Sequence, residues 1–257
     1  MAHWVRFEHQ GKIKAGTLEG GAISVHEGDI FASPKATGET VALAEVKLMT
    51  PCDPGKMVCL WNNFRALTAK MEGEIPPEPL WFLKAPNSYL GPGGIIRRPK
   101  SYDGPVVYEG EIGIVIGKRC SEIPEAKAAE HIFGYTCIND VTAAKIISKD
   151  KTFAQWTRSK SYDTFGVFGP AIATGIDPMK LTIRTILNGE ERQNYPVNDM
   201  TFPPHKLVSL LSHDITLMPG DIIACGTSVG VGSMKEPRND IKIVIDGIGT
   251  LENTYLQ

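Results

Sequence analysis

The stretch that most constrains the fold is residues 106–117, which reads VVYEGEIGIVIG. Its β-branched and aromatic residues predict a strand, in which successive side chains point to opposite faces. Glu109 and Glu111 therefore share one face. The other face carries an apolar row suited to a protein core, made of Tyr108, Ile112, Ile114 and Ile116. The fold must accommodate two neighbouring carboxylates on an otherwise apolar strand.

Two like charges side by side repel each other unless a positive charge lies between them. Mg2+ would supply that charge, because it prefers oxygen ligands and often takes a few carboxylates together with water and substrate. Asp140 follows a second apolar run, residues 132–138, and could reach the mouth of the same sheet. The pattern predicts a metal site of Glu109, Glu111 and Asp140, although an exposed, solvated pair of glutamates remains the alternative.

Composition excludes several classes of protein. A net charge of -2 lacks the basic excess of a nucleic-acid-binding protein, so no nucleic-acid partner is expected. No apolar run approaches the roughly 20 residues of a membrane span, and residues 1–7 lack the basic start and continuous apolar stretch of a signal peptide, so we expect a cytoplasmic protein without membrane contact. The five cysteines include no Cys-x-x-Cys pair, and the six histidines show no metal-ligand spacing. Reduced, buried thiols and structural histidines are the expectation.

Two parts of the chain differ in character. Residues 1–55 alternate short strands with turns and predict a small N-terminal β domain, which ends at a segment rich in proline and glycine. Residues 56–257 then form the larger domain, and the whole is expected to be mostly β with short helices, an α+β fold. Helices are predicted near residues 62–71, 123–132 and 202–212. A hairpin is predicted at Asn188-Gly189.

The predicted helix at 62–71 precedes a loop rich in proline and acidic residues. Such a tethered helix could close over a pocket, with Arg65, Lys70 and Glu72 as lid residues, or could be an ordinary surface connection. A glycine loop follows the predicted strand at 222–225, but a proline-broken, charged segment comes next instead of the helix that a dinucleotide site requires. We therefore expect its backbone amides and the Thr227 hydroxyl to receive an anion such as a substrate carboxylate.

Together these segments resemble the fumarylacetoacetate hydrolase family from about Cys59 to Asp246. The resemblance is carried, in order, by FLK at 82–84, YEGE at 108–111, VIGK at 115–118, GYT at 134–136, ND at 139–140, KSYDTF at 160–165, GP at 169–170, NGE at 188–190 with Gln193, PGDII at 219–223 and GT at 226–227. It implies a mixed β-roll or sandwich flanked by short helices, a homodimer, and Mg2+ or Mn2+ held by Glu109, Glu111 and Asp140. It also implies a catalytic Lys160, and substrate contacts from Lys84, Gln193, Gly226 and Thr227.

The chain also departs from the family pattern. Carbon-carbon hydrolases of this family place a His-x-x-Glu pair on the lid to activate water, and those positions fall here on Leu67 and Lys70. A metal that chelates a 2-oxo acid lowers the barrier to enolate formation, which serves isomerisation and decarboxylation without an activated water.

We therefore expect an isomerase or decarboxylase acting on a small 2-oxo (di)carboxylic acid. The nearest type is the 2-hydroxyhepta-2,4-diene-1,7-dioate isomerase / 5-carboxymethyl-2-oxo-hex-3-ene-1,7-dioate decarboxylase of aromatic-compound catabolism. Two alternatives remain open at this stage. One is an acylpyruvate hydrolase that uses Lys70, Glu72 or Glu74 as a substitute base. The other is an inactive homologue that keeps only the fold.

Overall fold

The computed structural model describes residues 1–257 and is built mainly from strands. The strands are β1 Ala2–His9, β2 Lys12–Glu19, β3 Ala22–Glu27, β4 Lys35–Ala42, β5 Lys47–Leu48, β6 Met57–Trp61, β7 Leu80–Lys84, β8 Tyr89–Leu90, β9 Ile95–Arg97, β10 Val106–Tyr108, β11 Gly110–Ile116, β12 Ile132–Asp140, β13 Thr142–Ala143, β14 Gly166–Thr174, β15 Thr182–Leu187, β16 Glu190–Pro196, β17 Ile222–Ala224, β18 Gly232–Ser233, β19 Arg238–Ile245 and β20 Gly249–Leu256.

Helices are few and short. The α-helices are α1 Arg65–Lys70, α2 Ala144–Ile147, α3 Trp156–Lys160 and α4 Pro204–Asp214, and the 3₁₀ helices are Leu43–Glu45, Pro86–Ser88, Glu125–His131, Pro178–Lys180 and Val197–Asp199. The mostly β fold with short helices is confirmed. The helix predicted near residues 123–132 takes the tighter 3₁₀ form, which is common in short connectors. No helix in the structure has both the length and the apolar character that a membrane crossing requires.

The strands form three sheets. The largest has twelve strands in the order β4-β3-β2-β1-β14-β12-β11-β17-β6-β7, with β5 paired to β1 and β8 paired to β14. It is mixed, because β6 runs parallel to β17 while β11 and β12 are antiparallel. A five-stranded sheet has the order β16-β15-β19-β20-β9, and a small sheet joins β13, β10 and β18. The strands of residues 1–55 extend the large sheet, since β1 pairs with β14.

The predicted strand at 106–117 is interrupted at Glu109, so that β10 belongs to the small sheet and β11 to the large one. The amide of Glu109 donates to the Asn139 side chain at 3.2 Å instead of to a neighbouring strand, which marks the break. All seven residues of β11 are buried. The alternative of an exposed, solvated glutamate pair does not hold for Glu111, because protein covers both faces of this strand.

The main core lies between the large and the five-stranded sheets, where Ile112 and Ile114 of β11 belong to the same apolar cluster as Ile243 of β19. Helix α4 adds Leu207 and Leu211 to that cluster. On the opposite face of β11, Val115 packs in a second cluster with residues of β6, β12 and β14. Each fully buried aliphatic side chain of this kind contributes about 1.5–3 kcal/mol. Packing on both faces gives the end of β11 a fixed position.

The predicted hairpin at Asn188-Gly189 is confirmed. It joins β15 to β16, and both of its turn residues have positive φ, 51° and 84°. That conformation matches the right-handed twist of the two flanking strands. The hairpin carries Gln193 in β16 toward the end of β11 at which Glu109 and Glu111 lie.

Candidate metal centre and active site

Three carboxylates meet where β11 pairs with β12. Gly110 lies opposite Asn139 in the antiparallel register, and the amide of Asp140 donates to the carbonyl of Glu109 at 2.9 Å. Carboxylate oxygens of Glu109, Glu111 and Asp140 lie within 4.8 Å of one another. Asp140 follows Glu109 by 31 positions and Glu111 by 29 positions in the chain, and strand pairing brings all three to one point. We refer to these three residues as the carboxylate cluster.

Two lysines face this cluster. The Nζ atom of Lys160 lies 2.7 Å from Oε2 of Glu109 and 2.5 Å from Oδ2 of Asp140. Lys84 donates to Oδ1 of Asp140 and, at 3.0 Å, to the carbonyl of Val141. Both lysines are almost completely buried. Ion pairs in such an interior persist only when their geometry is good and their hydrogen bonds are satisfied.

Burial and the neighbouring charges act in opposite directions on the pKa values of Lys160 and Asp140. Burial disfavours the charged form of Lys160, but Asp140, Glu109 and Glu111 outweigh it and raise the pKa of the ammonium. Burial likewise disfavours ionised Asp140, yet Lys160 and Lys84 outweigh it and lower the pKa of that carboxyl. Lys160 and Asp140 are therefore both charged near neutral pH.

Glu111 is the one member of the cluster that forms no ion pair with a lysine. Its side chain is completely buried, and Oε2 accepts a hydrogen bond from the Gly226 amide at 2.9 Å. Oε1 has no partner at all, although buried polar atoms in proteins nearly always have one. Burial, followed by the charges of Asp140 and Glu109, raises the pKa of Glu111 well above its ordinary value.

The residues present fit a hard divalent cation. Three carboxylates facing two ammonium groups leave one formal negative charge, and Oε1 of the buried Glu111 has no hydrogen-bond partner. A cation coordinated by Glu109, Glu111 and Asp140 would satisfy both features, and an all-oxygen donor set of this kind suits Mg2+ or Mn2+.

The glycine between the two glutamates is held by a set of hydrogen bonds. Gln193 accepts from the Gly110 amide at 3.0 Å and donates to the Thr227 hydroxyl at 2.9 Å. Thr227 donates in turn to the Gly110 carbonyl at 2.9 Å, and the Tyr195 hydroxyl donates to the same carbonyl. There is no room for a side chain here, because a Cβ on Gly110 would lie 2.1 Å from Oγ1 of Thr185. Gln193, Thr227 and Tyr195 together fix the backbone from which both glutamates project.

Three residues predicted to contact substrate form hydrogen bonds within the protein. The Gly226 amide, expected to receive a substrate carboxylate, donates to Glu111 instead. Gln193 is buried, and its amide is occupied within the protein. Lys84 lies behind Asp140 and does not line the cavity described below. Of the four predicted contacts only Thr227 reaches the cavity wall, because the other three side chains or amides are used to hold the cluster in place.

A cavity of about 200 Å³ opens beside the cluster. Its lining is largely apolar and consists of Leu60, Trp61, Asn62, Leu67, Met71, Phe82, Glu109, Ile147, Trp156, Lys160, Thr227 and Val231. Glu109 and Lys160 are the only ionisable residues among them, and no histidine is present. A larger groove of about 800 Å³ lies elsewhere, beside β5, β8 and β9, and includes no member of the cluster. The smaller cavity is the one that adjoins the chemistry.

Helix α1 and the residue that follows it, Met71, cover one side of the cavity with apolar side chains. Leu67 and Met71 line it, whereas the predicted lid residues Arg65, Lys70 and Glu72 are exposed and do not. Arg65 donates instead to the carbonyl of Asn198 at 3.4 Å. The lid segment thus brings no acid or base to the cavity.

Two features of the site were missed in the sequence. The Thr142 hydroxyl donates to Oε1 of Glu109 at 2.7 Å, and Trp156 lines the cavity beside Lys160. Simple spacing could have suggested both. Thr142 follows Asp140 by two residues in extended chain, so the two side chains point the same way. Trp156 precedes Lys160 by four residues on α3, and that spacing places Trp156 and Lys160 on one face of the helix.

Comparison with known proteins agrees with this architecture. The family model described as fumarylacetoacetate (FAA) hydrolase, C-terminal, matches residues 56–255, and a second model, Rv2993c-like N-terminal, matches residues 2–51. The chain belongs to the fumarylacetoacetate hydrolase family. The family resemblance seen in the sequence is therefore confirmed.

Relatives within the fumarylacetoacetate hydrolase family cover most of the chain. Protein Rv2993c of Mycobacterium tuberculosis is 40% identical over 88% of this chain and 85% of its own length. Oxaloacetate tautomerase YisK of Bacillus subtilis is 38% identical over 82% of this chain and 74% of its own length. The crystal structure of 2-hydroxyhepta-2,4-diene-1,7-dioate isomerase from Mycobacterium marinum superposes with a TM-score of 0.91, at 34% identity, over 100% of this chain and 98% of that chain. The chain is thus a fumarylacetoacetate hydrolase family protein whose relatives include an isomerase and a tautomerase.

Proposed function

We propose that this protein is a divalent-cation-dependent isomerase that interconverts the keto and enol forms of a small 2-oxo carboxylic acid. One observation carries the proposal: Lys160 and Glu109 are the only ionisable side chains on the wall of the cavity beside the carboxylate cluster. Tautomerisation needs a stabilised enolate oxygen and one group that handles a proton. Cleavage of a carbon-carbon bond by water would also need a base to activate that water, and the cavity provides none beyond these two residues.

Glu109, Glu111 and Asp140 would hold the cation, with Mg2+ or Mn2+ as the expected metal. When bound, such a cation supplies a Lewis acid that polarises the 2-oxo group. The residues that hold it are themselves fixed: Thr142 and Lys160 hold Glu109, Gly226 holds Glu111, and both lysines hold Asp140. This preorganisation spares the reaction the cost of reorienting charged groups.

Lys160 is the residue that would handle the proton. An ammonium has three N–H donors, and here two of them go to Glu109 and Asp140. The third is free for a substrate oxygen in the cavity. Because the neighbouring carboxylates raise the pKa of Lys160, the resting group is protonated; on ketonisation it would give a proton to the carbon that forms the new C–H bond, and the proton released from the enol O–H group would restore the ammonium.

The names of two relatives support the proposed keto–enol tautomerisation. The names of YisK and of fahd2 from Xenopus laevis, which is 34% identical over 82% of this chain, both specify oxaloacetate tautomerase. Decarboxylation of a β-carboxylate would use the same electron sink and is the reaction that the assay must separate from tautomerisation.

The homodimer implied by the family resemblance stays a prediction, which sedimentation of the purified chain would test.

The test is to follow the loss of the enol form of several 2-oxo acids, oxaloacetate among them, with the purified protein after EDTA treatment and after adding back Mg2+ or Mn2+. We expect faster ketonisation that requires the cation, with little CO2 and no cleavage of acylpyruvates to pyruvate. Lys160→Met should remove the acceleration, whereas Lys235→Met, at an exposed position that does not line the cavity, should keep it. Stoichiometric CO2 from oxaloacetate would assign a decarboxylase instead, and stoichiometric pyruvate from an acylpyruvate would assign a hydrolase.

A further inference from the structure

Three aromatic side chains form a continuous surface at the mouth of the cavity. The ring centroids of Trp61 and Trp156 lie 5.5 Å apart, and Phe82 stacks on Trp156 at 5.5 Å with an interplanar angle of 20°. We call Trp61, Phe82 and Trp156 the aromatic wall. The same three residues also line an adjoining groove of about 320 Å³, which Leu80 and Trp81 complete. Cavity and groove therefore share one apolar side.

The aromatic wall begins directly beside the reacting end of the cavity. Nζ of Lys160 lies 5.2 Å from the centroid of the Phe82 ring, within the range of a cation–π contact. A 2-oxo acid whose oxygens face Lys160 and the carboxylate cluster must direct its remaining substituent away from those charges. The apolar side formed by Trp61 and Trp156 is the surface available to it.

The charges of the site argue against a second carboxylate on that substituent. Lys160 is the only cationic residue that lines the cavity, and its side chain is already shared between Glu109 and Asp140. The groove has no ionisable lining residue. Three carboxylates, two lysines and a divalent cation sum to one positive charge, which a single substrate carboxylate neutralises. A second carboxylate would lie against aromatic rings without a partner, and burial of an unpaired charge is costly.

We infer that the substrate is a 2-oxo monocarboxylate whose arm is uncharged and planar, as in aryl- or alkenyl-substituted pyruvates, and that Trp61 and Trp156 select it. This inference rests on the proposed function for the reaction and adds the substrate class. It departs from the dicarboxylate expected from the family resemblance. In the reaction the enol O–H bond breaks and a C–H bond forms at the neighbouring carbon, so no other reactant is consumed.

The test compares phenylpyruvate with oxaloacetate, each supplied as its enol form with Mg2+. We expect a higher kcat/KM for phenylpyruvate, and Trp61→Ala should lower that value at least about tenfold through lost aromatic burial and lower the value for oxaloacetate less, so that the preference for phenylpyruvate falls. Trp61→Arg should move the preference toward oxaloacetate by supplying the missing cation. Trp4→Ala removes a partly buried tryptophan in β1, far from the cavity, and serves as the matched control.

A binding measurement separates this inference from the proposed reaction. Phenyllactate and malate lack the 2-oxo group and cannot enolise, so calorimetric titration with these two ligands compares their arms without the reaction. Tighter binding of phenyllactate, lost in Trp61→Ala and kept in Trp4→Ala, would support the aromatic arm even if no enol were turned over. Tighter binding of malate, or a Trp61→Ala variant that weakens both ligands equally, would overturn it. Failure of every enol to react would instead refute the proposed function.

Discussion

Replacing Glu111 by glutamine should make the cation-free protein more stable and the cation-loaded protein less stable than the natural chain. The carboxylate is completely buried, with one oxygen bonded to the Gly226 amide and the other without a partner. Glutamine has nearly the same shape but carries no charge. Its NH2 group would also put a hydrogen-bond donor in place of the carboxylate oxygen that has no partner.

The size of the expected change in stability follows from the cost of burying a polar group without a partner and from the free energy of cation binding. A buried polar group without a partner costs about 1–3 kcal/mol, so the cation-free Glu111→Gln variant should gain roughly that much. In a chain of this size 1 kcal/mol corresponds to about 2–4 °C in Tm, which gives a rise of at least about 2 °C. A cation at about 100 times its Kd would stabilise the natural protein by about 2.7 kcal/mol. The variant has lost a ligand, so it should gain much less, and the order of the two melting temperatures should reverse.

The pH dependence of this difference has a definite sign. Because burial and the neighbouring carboxylates raise the folded-state pKa of Glu111, the folded protein keeps a proton that the unfolded chain has released. The cation-free natural protein therefore loses stability as pH rises from the unfolded value of this carboxyl through its raised folded value. Glu111→Gln lacks this loss, so its advantage should grow over that pH range.

The assay is thermal unfolding of both proteins after EDTA treatment, near pH 5 and pH 8, and again with Mg2+ or Mn2+. Glu45→Gln changes an exposed carboxylate that forms no ion pair and is the matched control. A cation-free Glu111→Gln variant that melts below the natural protein would refute the account of the buried charge. Equal stabilisation of both proteins by the cation would show that Glu111 is not a ligand.

Three further changes test the way in which the site is supported. Gly110→Ala should weaken cation-induced stabilisation and lower the free energy of unfolding by about 1–3 kcal/mol, because its Cβ would lie 2.1 Å from Oγ1 of Thr185. Gly73→Ala, whose Cβ would meet no atom closer than 3.9 Å, is the control and should have little effect. Equal melting temperatures of the two variants would contradict the clash at Gly110. Gln193→Leu leaves the Gly110 amide without its partner, so calorimetry should show weaker cation binding, whereas unchanged affinity would mean that the backbone of the glutamates does not need this support. All five cysteines are buried and burial raises the pKa of each thiol, to about 12 for Cys52, so the folded protein at pH 8 should not react with a thiol reagent until it is unfolded; rapid labelling of the folded protein would contradict this.

Local patterns predicted much of the fold because they depend on neighbours in the chain. The Asn188-Gly189 turn, the β-branched run of β11 and the apolar side of α4 each express a preference of a few consecutive residues. The break at Glu109 was not predictable in this way. It depends on the Asn139 side chain of another strand, which takes the amide hydrogen bond that would continue the ladder.

Sequence alone identified the family, the mostly β class and the three carboxylates, since residue type and order are enough to recognise motifs and to notice acidic groups on an apolar strand. Tertiary structure alone decided which groups face the cavity. Gln193, Gly226 and Lys84 turn inward to hold the carboxylate cluster, while Trp61 and Trp156, from separate segments, lie side by side in the wall of the cavity. The physical reason is that hydrogen bonds, burial and the balance of charge depend on distances between segments far apart in the chain, and these distances are set only when the sheets pack.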